Sequence, residues 1–309
     1  MNEKITWVML ATVITTAAVL SLSVSSGWAQ MALPPAADHP EITVHGQTFT
    51  PRSVLARNMG SPADQTAQFP PHKIIGNLYY VGTKTLSSFL IVTPQGNILI
   101  NSTFEANVPT IKKSVEQLGF KFSDIKILLG THAHSDHQEG DALLKQLTGA
   151  QTMAMAEDVP ALQAMKPGGK DHPIDRILHD GETVTLGGTT LTAHLTPGHT
   201  RGCTTWTMKE QEAGKSYNVV IACSLRPPDT LTPMIIAEFN RSFPLVRSLA
   251  CDVPLGDHPS QYRLNDKYAK LQTGAPNPFI DPDDCMYEVD IEEAMFHALL
   301  NEQRKDAGH

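Results

Sequence analysis

Four potential metal ligands fall within the run His132-Ala133-His134-Ser135-Asp136-His137. Imidazole nitrogens and a carboxylate suit Zn²⁺, and Fe, Mn or Ni would accept the same nitrogen and oxygen donors. On a turn leaving a strand, side chains two positions apart point to one side, so His132 and His134 can grip one ion while Asp136 and His137 face another. One loop can thus serve two metals. Two more ligands are needed to complete two three-ligand sites. His199 in Thr196-Pro197-Gly198-His199-Thr200 follows a strand-like run, and His258 in Gly256-Asp257-His258-Pro259 occupies a similar loop. The remaining histidines, His39, His45, His72, His172, His179, His194, His297 and His309, lack that context. Two zinc ions sharing a water would lower its pKa from about 15.7 toward ~7, giving a zinc-bound hydroxide able to attack a carbonyl. Asp136 would act both as ligand and as the group that orients the hydroxide.

These side chains need rigid elements to aim them. Lys73 to Gly82 contains two short strands around a Gly-Asn turn, and Ser87–Val92 leads through Thr93-Pro94-Gln95-Gly96-Asn97 to Ile98–Ile100, an antiparallel meander. Ile111, Val115 and Leu118 have helical spacing, in a segment that stops at Gly119. The strand Ile125–Leu129 then runs directly into the His-rich loop, where α/β sites usually sit, ahead of a helix near Asp141 to Leu147. A second half repeats the theme. Gln151–Ala156, Thr183–Leu186, Thr189–Leu195, Thr204–Met208 and Tyr217–Ala222 read as strands; Val159–Met165, Phe239–Leu249, Gln261–Leu271 and Ile291–Gln303 read as helices. With hairpins in both halves, the expected α/β architecture is a four-layer αββα sandwich of two mixed sheets with helices on the outer faces.

The chain has 309 residues, 41% of them hydrophobic, enough to bury one large core, and one catalytic domain over 73–309 is expected. Its 24 Lys and Arg against 32 Asp and Glu give a net charge of −8, which repels a polyanion, so nucleic acid is not expected as a partner. Residues 1–29 read as a signal peptide: Lys4 precedes an apolar stretch from Ile5 to Leu22 that ends in small residues before Ala29. The stretch is almost long enough for an uncleaved anchor, but its many Thr, Ser and Ala residues weaken that reading. Cleavage would give an exported, periplasmic protein free of the membrane, expected to be a monomer. Residues 30–72, rich in Pro, Ala and polar residues, read as an N-terminal arm packed on the body, with regular structure beginning near Lys73.

Export permits disulfides. Cys203, Cys223, Cys251 and Cys285 allow three full pairings, and sequence alone does not choose among them. Cys203 and Cys223 lie in or beside apolar strand-like runs, whereas Cys251 and Cys285 lie in loop-like ground and are the pair favoured here. The competing reading keeps all four as reduced, buried thiols.

The motifs Thr131-His132-Ala133-His134-Ser135-Asp136-His137 and Leu195-Thr196-Pro197-Gly198-His199-Thr200 resemble the signatures of the metallo-β-lactamase superfamily. Over nearly all of residues 73 to 305 the sequence is similar to subclass B3, with support from Phe239-Asn240-Arg241-Ser242-Phe243 and from Gly198 to Trp206. The resemblance implies one zinc on His132, His134 and His199, a second on Asp136, His137 and His258, and a Cys251–Cys285 disulfide. It also implies a zinc-dependent β-lactamase acting on penicillins, cephalosporins and carbapenems, with a small-molecule β-lactam as partner. Glyoxalase-type relatives carry a bridging Asp where this chain has Ile221-Ala222-Cys223-Ser224-Leu225. Alignment on Leu225 puts Ser224 at that place and leaves Cys223 as a packed strand residue.

Ser224, Thr200 and Arg226 are candidate contacts for a substrate carboxylate, and the guanidinium fork of Arg226 matches a carboxylate best. Gln138-Glu139, Asn101-Ser102 and Arg226 depart from the family pattern, which bears on substrate range more than on metal binding. The competing enzyme reading is another hydrolase on the same site, such as a lactonase or thioester hydrolase. A zinc-storage protein is the third reading, and the open position expected at three-ligand zinc sites argues against it.

Overall fold

Hydroxyl-proline pairs start the first ordered helices. The computed structural model describes residues 37–307 except 275, so the expected signal peptide at 1–29 and residues 30–36 of the arm lie outside the described residues. The described part of the arm forms a hairpin of β1 (Ile42–Val44) and β2 (Gln47–Phe49), then α1 (Pro51–Met59) and α2 (Pro62–Thr66). Among the described residues regular structure therefore begins at Ile42, not near Lys73. These elements are too short to show a period. Their start signals were nonetheless present: Thr50 and Ser61 cap the two helices, each ahead of a Pro and each closed by a reciprocal bond, to Ser53 and Asp64.

The first sheet has seven strands in sequence order: β3 (His72–Ile75), β4 (Leu78–Tyr80), β5 (Phe89–Thr93), β6 (Gly96–Ile100), β7 (Ile125–Leu129), β8 (Gln151–Met155) and β9 (Arg176–Leu178). It is antiparallel through β6 and parallel from β6 to β9. Its crossovers carry α3 (Val108–Gln117), the single turn α4 (Ser135–Gln138), α5 (Asp141–Thr148) and α6 (Val159–Ala164). The second sheet has five strands, β10 (Thr183–Leu186), β11 (Thr189–Leu195), β12 (Thr204–Glu212), β13 (Lys215–Ala222) and β14 (Val253–Gly256). Its last pair is parallel. α7 (Pro233–Ser248) separates β13 from β14, and α8 (Leu264–Gln272) and α9 (Tyr287–Asp306) follow.

Successive side chains of these strands enter different layers. Phe89, Ile91, Ile98, Ile100, Ile127 and Leu129 face Leu191, Ala193, Trp206, Met208, Val219 and Ile221 across the gap between the sheets. Leu90, Leu99 and Leu128 point the other way, onto Val108, Ile111 and Val115 of α3 and Leu144 of α5. Both faces are covered, so these strands read as continuous apolar runs. α7 and α9 pack through Phe239, Phe243, Val246, Met295 and Phe296, and the arm joins that cluster through Phe49 and Val54. Arg57 Nη2 donates to both oxygens of Glu288, at 2.6 and 2.7 Å. The result is the four-layer αββα sandwich, with the described part of the arm packed against α9. No helix among the described residues is long and apolar enough to cross a membrane.

All four cysteines are bonded. Cys251 pairs with Cys285 as expected, and Cys203 pairs with Cys223, so Cys223 is more than a packed strand residue and the competing reading of four reduced thiols is overturned. Cys223 is packed, at 2% exposure, but its neighbour in space is a residue 20 positions earlier in the chain, a closeness that strand pairing creates and local sequence does not announce. Replacing both Cys251 and Cys285 by Ser should lower unfolding free energy by ~3–4 kcal/mol, the closure entropy of a loop of this length. Urea denaturation checks this, and an unchanged midpoint would show that the bridge is energetically idle.

Candidate metal centre

Ends of β7, β11, β13 and β14 lie along one edge of the sandwich, and the ligand candidates all leave from there. β7 delivers the His-rich run, of which Ser135–Gln138 forms one helical turn that carries Asp136 and His137. The turn after β11 delivers His199, and the segment after β14 delivers His258. His132 Nε2 stands 3.0 Å from His134 Nδ1, and the His199 ring centroid lies 4.7 Å from each of theirs. On the other side, Asp136 Oδ2 is 3.2 Å from His137 Nε2 and 3.7 Å from His258 Nε2. The two sets, His132/His134/His199 and Asp136/His137/His258, each bring their ligand atoms within 4.8 Å of one another.

Outward nitrogens of three rings are fixed by acceptors. His199 Nδ1 donates to the Arg226 carbonyl and His258 Nδ1 to the Thr85 carbonyl, both at 2.9 Å, while His132 Nδ1 faces Asp257 Oδ2 at 3.2 Å. Each bond leaves the opposite nitrogen with its lone pair turned into the centre. His137 is fully buried; its Nδ1 has no hydrogen-bond partner among the described residues, and its Nε2 faces the candidate ligand Asp136. An imidazole stranded in this way beside a carboxylate fits a metal ligand better than a core residue. Three converging imidazoles on one side and a mixed nitrogen and oxygen set on the other also match the donors that divalent ions of the zinc type prefer.

Burial, and then the positive character of His137, hold His132 down at about 3. Burial, and then its neighbours His132 and His134, keep His199 well below the usual histidine range. These rings are neutral, as ligands must be. Burial pulls His137 down as well, but Asp136 and Asp257 outweigh it and hold that ring above its ordinary value.

Parts of this support are invisible in sequence. Asp257 accepts from the Ser224 N–H at 2.6 Å as well as facing His132, yet in sequence it is only the neighbour of a candidate ligand. Asn101 and Thr103 both adopt positive φ, 64° and 58°, which non-glycine residues do at some cost. Asn101 Oδ1 accepts from the Thr131 N–H and hydroxyl, and the Thr103 N–H donates to the His137 carbonyl. The Asn101-Ser102 departure therefore sits behind the metal loop rather than over it. Gln138 is likewise buried, against Gly130. Among the expected carboxylate contacts, Ser224 is buried at the foot of the centre, and Arg226 is half-buried with its charge felt at His134 and His199. The Thr200 hydroxyl donates to Asp158 at 2.9 Å. Outside the centre, His72 packs among aromatic rings, His172 meets Asp141, and His39 and His45 pair with surface carboxylates.

Fold and site together define a metallo-hydrolase. A family model described as the metallo-β-lactamase superfamily matches residues 82–212. The native FEZ-1 metallo-β-lactamase from Legionella gormanii superposes with a TM-score of 0.73 at 47% identity, covering 77% of this chain and 98% of that one. BJP-1, a subclass B3 metallo-β-lactamase of Bradyrhizobium japonicum, superposes with a TM-score of 0.73 at 36% identity, over 79% and 98% of the two chains. A hydroxyacylglutathione hydrolase of Hyphomonas neptunium is 36% identical over 107 residues, 35% of this chain and 37% of that protein. The chain spans less than half the length of such curated relatives. The chain belongs to the metallo-β-lactamase superfamily and within it is most like subclass B3.

Two outcomes are expected. Asp257→Ala strands the buried Ser224 N–H and removes the acceptor facing His132, and should cost on the order of 2–4 kcal/mol in urea unfolding of the metal-free chain; a wild-type midpoint would contradict the bracing role. Protons compete with metal at the raised His137 but reach the depressed His132 and His199 only at much lower pH. On acidification the Asp136/His137/His258 set should thus empty first. Metal content after dialysis across a pH series checks this, and loss of both metals in a single step would contradict it.

Proposed function

We propose that the chain is a periplasmic, zinc-dependent β-lactamase that hydrolyses the β-lactam amide of penicillins, cephalosporins and carbapenems. The observation that carries this reading is the make-up of the second set: His258 completes it with Asp136 and His137, while Ser224 stands at the place of a bridging Asp or a ligand Cys. Export is supported by the leader-like residues 1–29 and by two disulfides, which an oxidising compartment maintains.

Zinc held by His132, His134 and His199, and by Asp136, His137 and His258, would supply Lewis acidity and a water ionised near neutral pH. The chain's own groups do the positioning. Arg226 would serve twice: its carbonyl fixes the His199 ring, and its guanidinium, whose charge is felt at His134, His199 and Glu292, would meet a substrate carboxylate. Among the described residues Ser224 Oγ has one long contact, from the Arg226 N–H at 3.5 Å, and its hydroxyl proton would be available to the same carboxylate. The Thr200 hydroxyl proton is already directed at Asp158, so Thr200 can offer a substrate only its lone pairs. Asp136 faces both His137 and His258 and is the carboxylate of the two ligand sets that would orient a water.

The likeness to hydroxyacylglutathione hydrolases favours one second reading, a thioester hydrolase on the same centre. The two separate in one assay. Zinc-loaded protein should open penicillin, cephalosporin and carbapenem rings, lose that activity on chelation, and leave glutathione thioesters untouched. Turnover of the thioesters with no ring opening would replace the β-lactamase reading by the second. Arg226→Ala should raise KM for carboxylate-bearing β-lactams about tenfold or more, as the loss of one charge-assisted bond predicts.

A further inference from the structure

Asp158 stands where an N-cap would be expected, one residue before α6, yet its side chain does not cap that helix. The carboxylate turns away instead. Its Oδ1 accepts from the Gly202 N–H at 2.7 Å, and its Oδ2 accepts from the Ala133 N–H at 2.8 Å and the Thr200 hydroxyl at 2.9 Å. Ala133 lies between His132 and His134, and Thr200 and Gly202 follow His199. One carboxylate thus joins the two loops that carry the first ligand set. Those loops leave different sheets, one after β7 and the other after β11, and Asp158 arrives on a third segment, after β8. Lower down, the same loops are tied by the Thr204 N–H to the Thr131 carbonyl at 2.7 Å and by Trp206 Nε1 to the Gly130 carbonyl at 3.0 Å. Those bonds fix the bases of the loops, and Asp158 fixes their ligand-bearing tips.

We infer that Asp158 is a positioning residue for zinc at His132, His134 and His199, acting as a charged clamp that never touches the ion. This rests on the reading that the set holds zinc. A carboxylate at 3% exposure, with no ion pair among the described residues, carries a desolvation cost that a neutral serine in its place would avoid. The first set contains three imidazoles and no anionic ligand, so a bound dication there lacks a neutralising charge of its own. Asp158 supplies one next to His134 while leaving every ligand nitrogen free. Gly202 shows how closely the clamp is fitted: a Cβ there would come within 2.6 Å of Asp158 Cβ and Cγ.

The test uses the purified full chain stripped of metal, as wild type, Asp158→Asn and Gly202→Ala, titrated with Zn²⁺ against a chromophoric chelator. Asp158→Asn keeps the shape but presents an NH₂ to one of the two loops and removes the charge. First-site zinc affinity should fall ~10–100-fold in both variants, with second-site affinity within about threefold of wild type. Activity of Asp158→Asn should return with excess zinc and with KM unchanged. Far-UV circular dichroism and urea unfolding of the metal-free chains report whether the fold itself has changed. Wild-type first-site affinity in both variants would overturn the clamp alone. Equal weakening of both sites, in step with lost stability of the metal-free chain, would reduce Asp158 to a structural residue. Failure of the wild-type chain to bind zinc at all would overturn the clamp and the zinc reading together.

Discussion

Basic nitrogens that point at one another with no protein atom between them are the constraint on which the rest of the structure depends. His132 and His134 stand 3.0 Å apart across the first set, and His137 is buried against Asp136 in the second. Without an ion the centre has few bonds of its own, the His132–His134 contact and the Asp136–His137 pair among them. The restoring forces must come from outside. For His199 and His258 they come from backbone carbonyls, those of Arg226 and Thr85, and for His132 from Asp257. A carbonyl acts as an acceptor here only if the strand before it ends at the right height. The two sheets therefore need their ends aligned along one edge, which the parallel β6–β9 and β13–β14 pairings accomplish.

Rigidity at that edge is reinforced from behind. The Cys203–Cys223 bridge joins the end of the His199 turn to the end of β13, and Cys223 Sγ lies 3.6 Å from His132 Nδ1. Gly198, at φ 138°, lets the His199 turn lie against the Phe239 ring of α7, where a Cβ would come within 2.8 Å of that ring. Asn101 and Thr103 hold conformations that cost of order 1–3 kcal/mol each. They persist because Asn101 Oδ1 is held by Thr131 and the Thr103 backbone is held by His137 and Gly140. Strain and buried polar groups thus gather behind the ligand loop.

Legibility in the sequence followed the length of the signal. Ile125–Leu129 can be read from its apolar run and Thr189–Leu195 from the alternation of Leu191, Ala193 and Leu195, and the ligand run identifies itself by density. β9 and β14 escaped notice for physical reasons. β9 is a three-residue edge strand with Ile177 49% exposed, and β14 contains Pro254 and Gly256, which usually argue against a strand. α7 begins at Pro233 and runs through Pro244, so its first turns lay beyond the helix expected from Phe239. The braces were the least legible part. Asp257 and Asp158 look like a loop residue and a helix cap, and their roles exist only once segments from different sheets meet.

Charge placement ties these observations to the chemistry. Six ligand side chains include one carboxylate, Asp136, so two dications in these sets would keep most of their positive charge. A bridging Asp near residue 224 would remove more of it, at the cost of a coordination position between the ions. The chain instead keeps Asp257 and Asp158 one layer out, where they face or bracket the ligands without occupying a position a substrate could use. With Arg226 felt at the first set, the centre would present a positive face on a protein whose net charge is −8. Such a face draws in a small anion through a local field even where the mean field is repulsive. On the proposed reading, a substrate carrying its own carboxylate next to the bond to be broken would fit that face better than a neutral ester would.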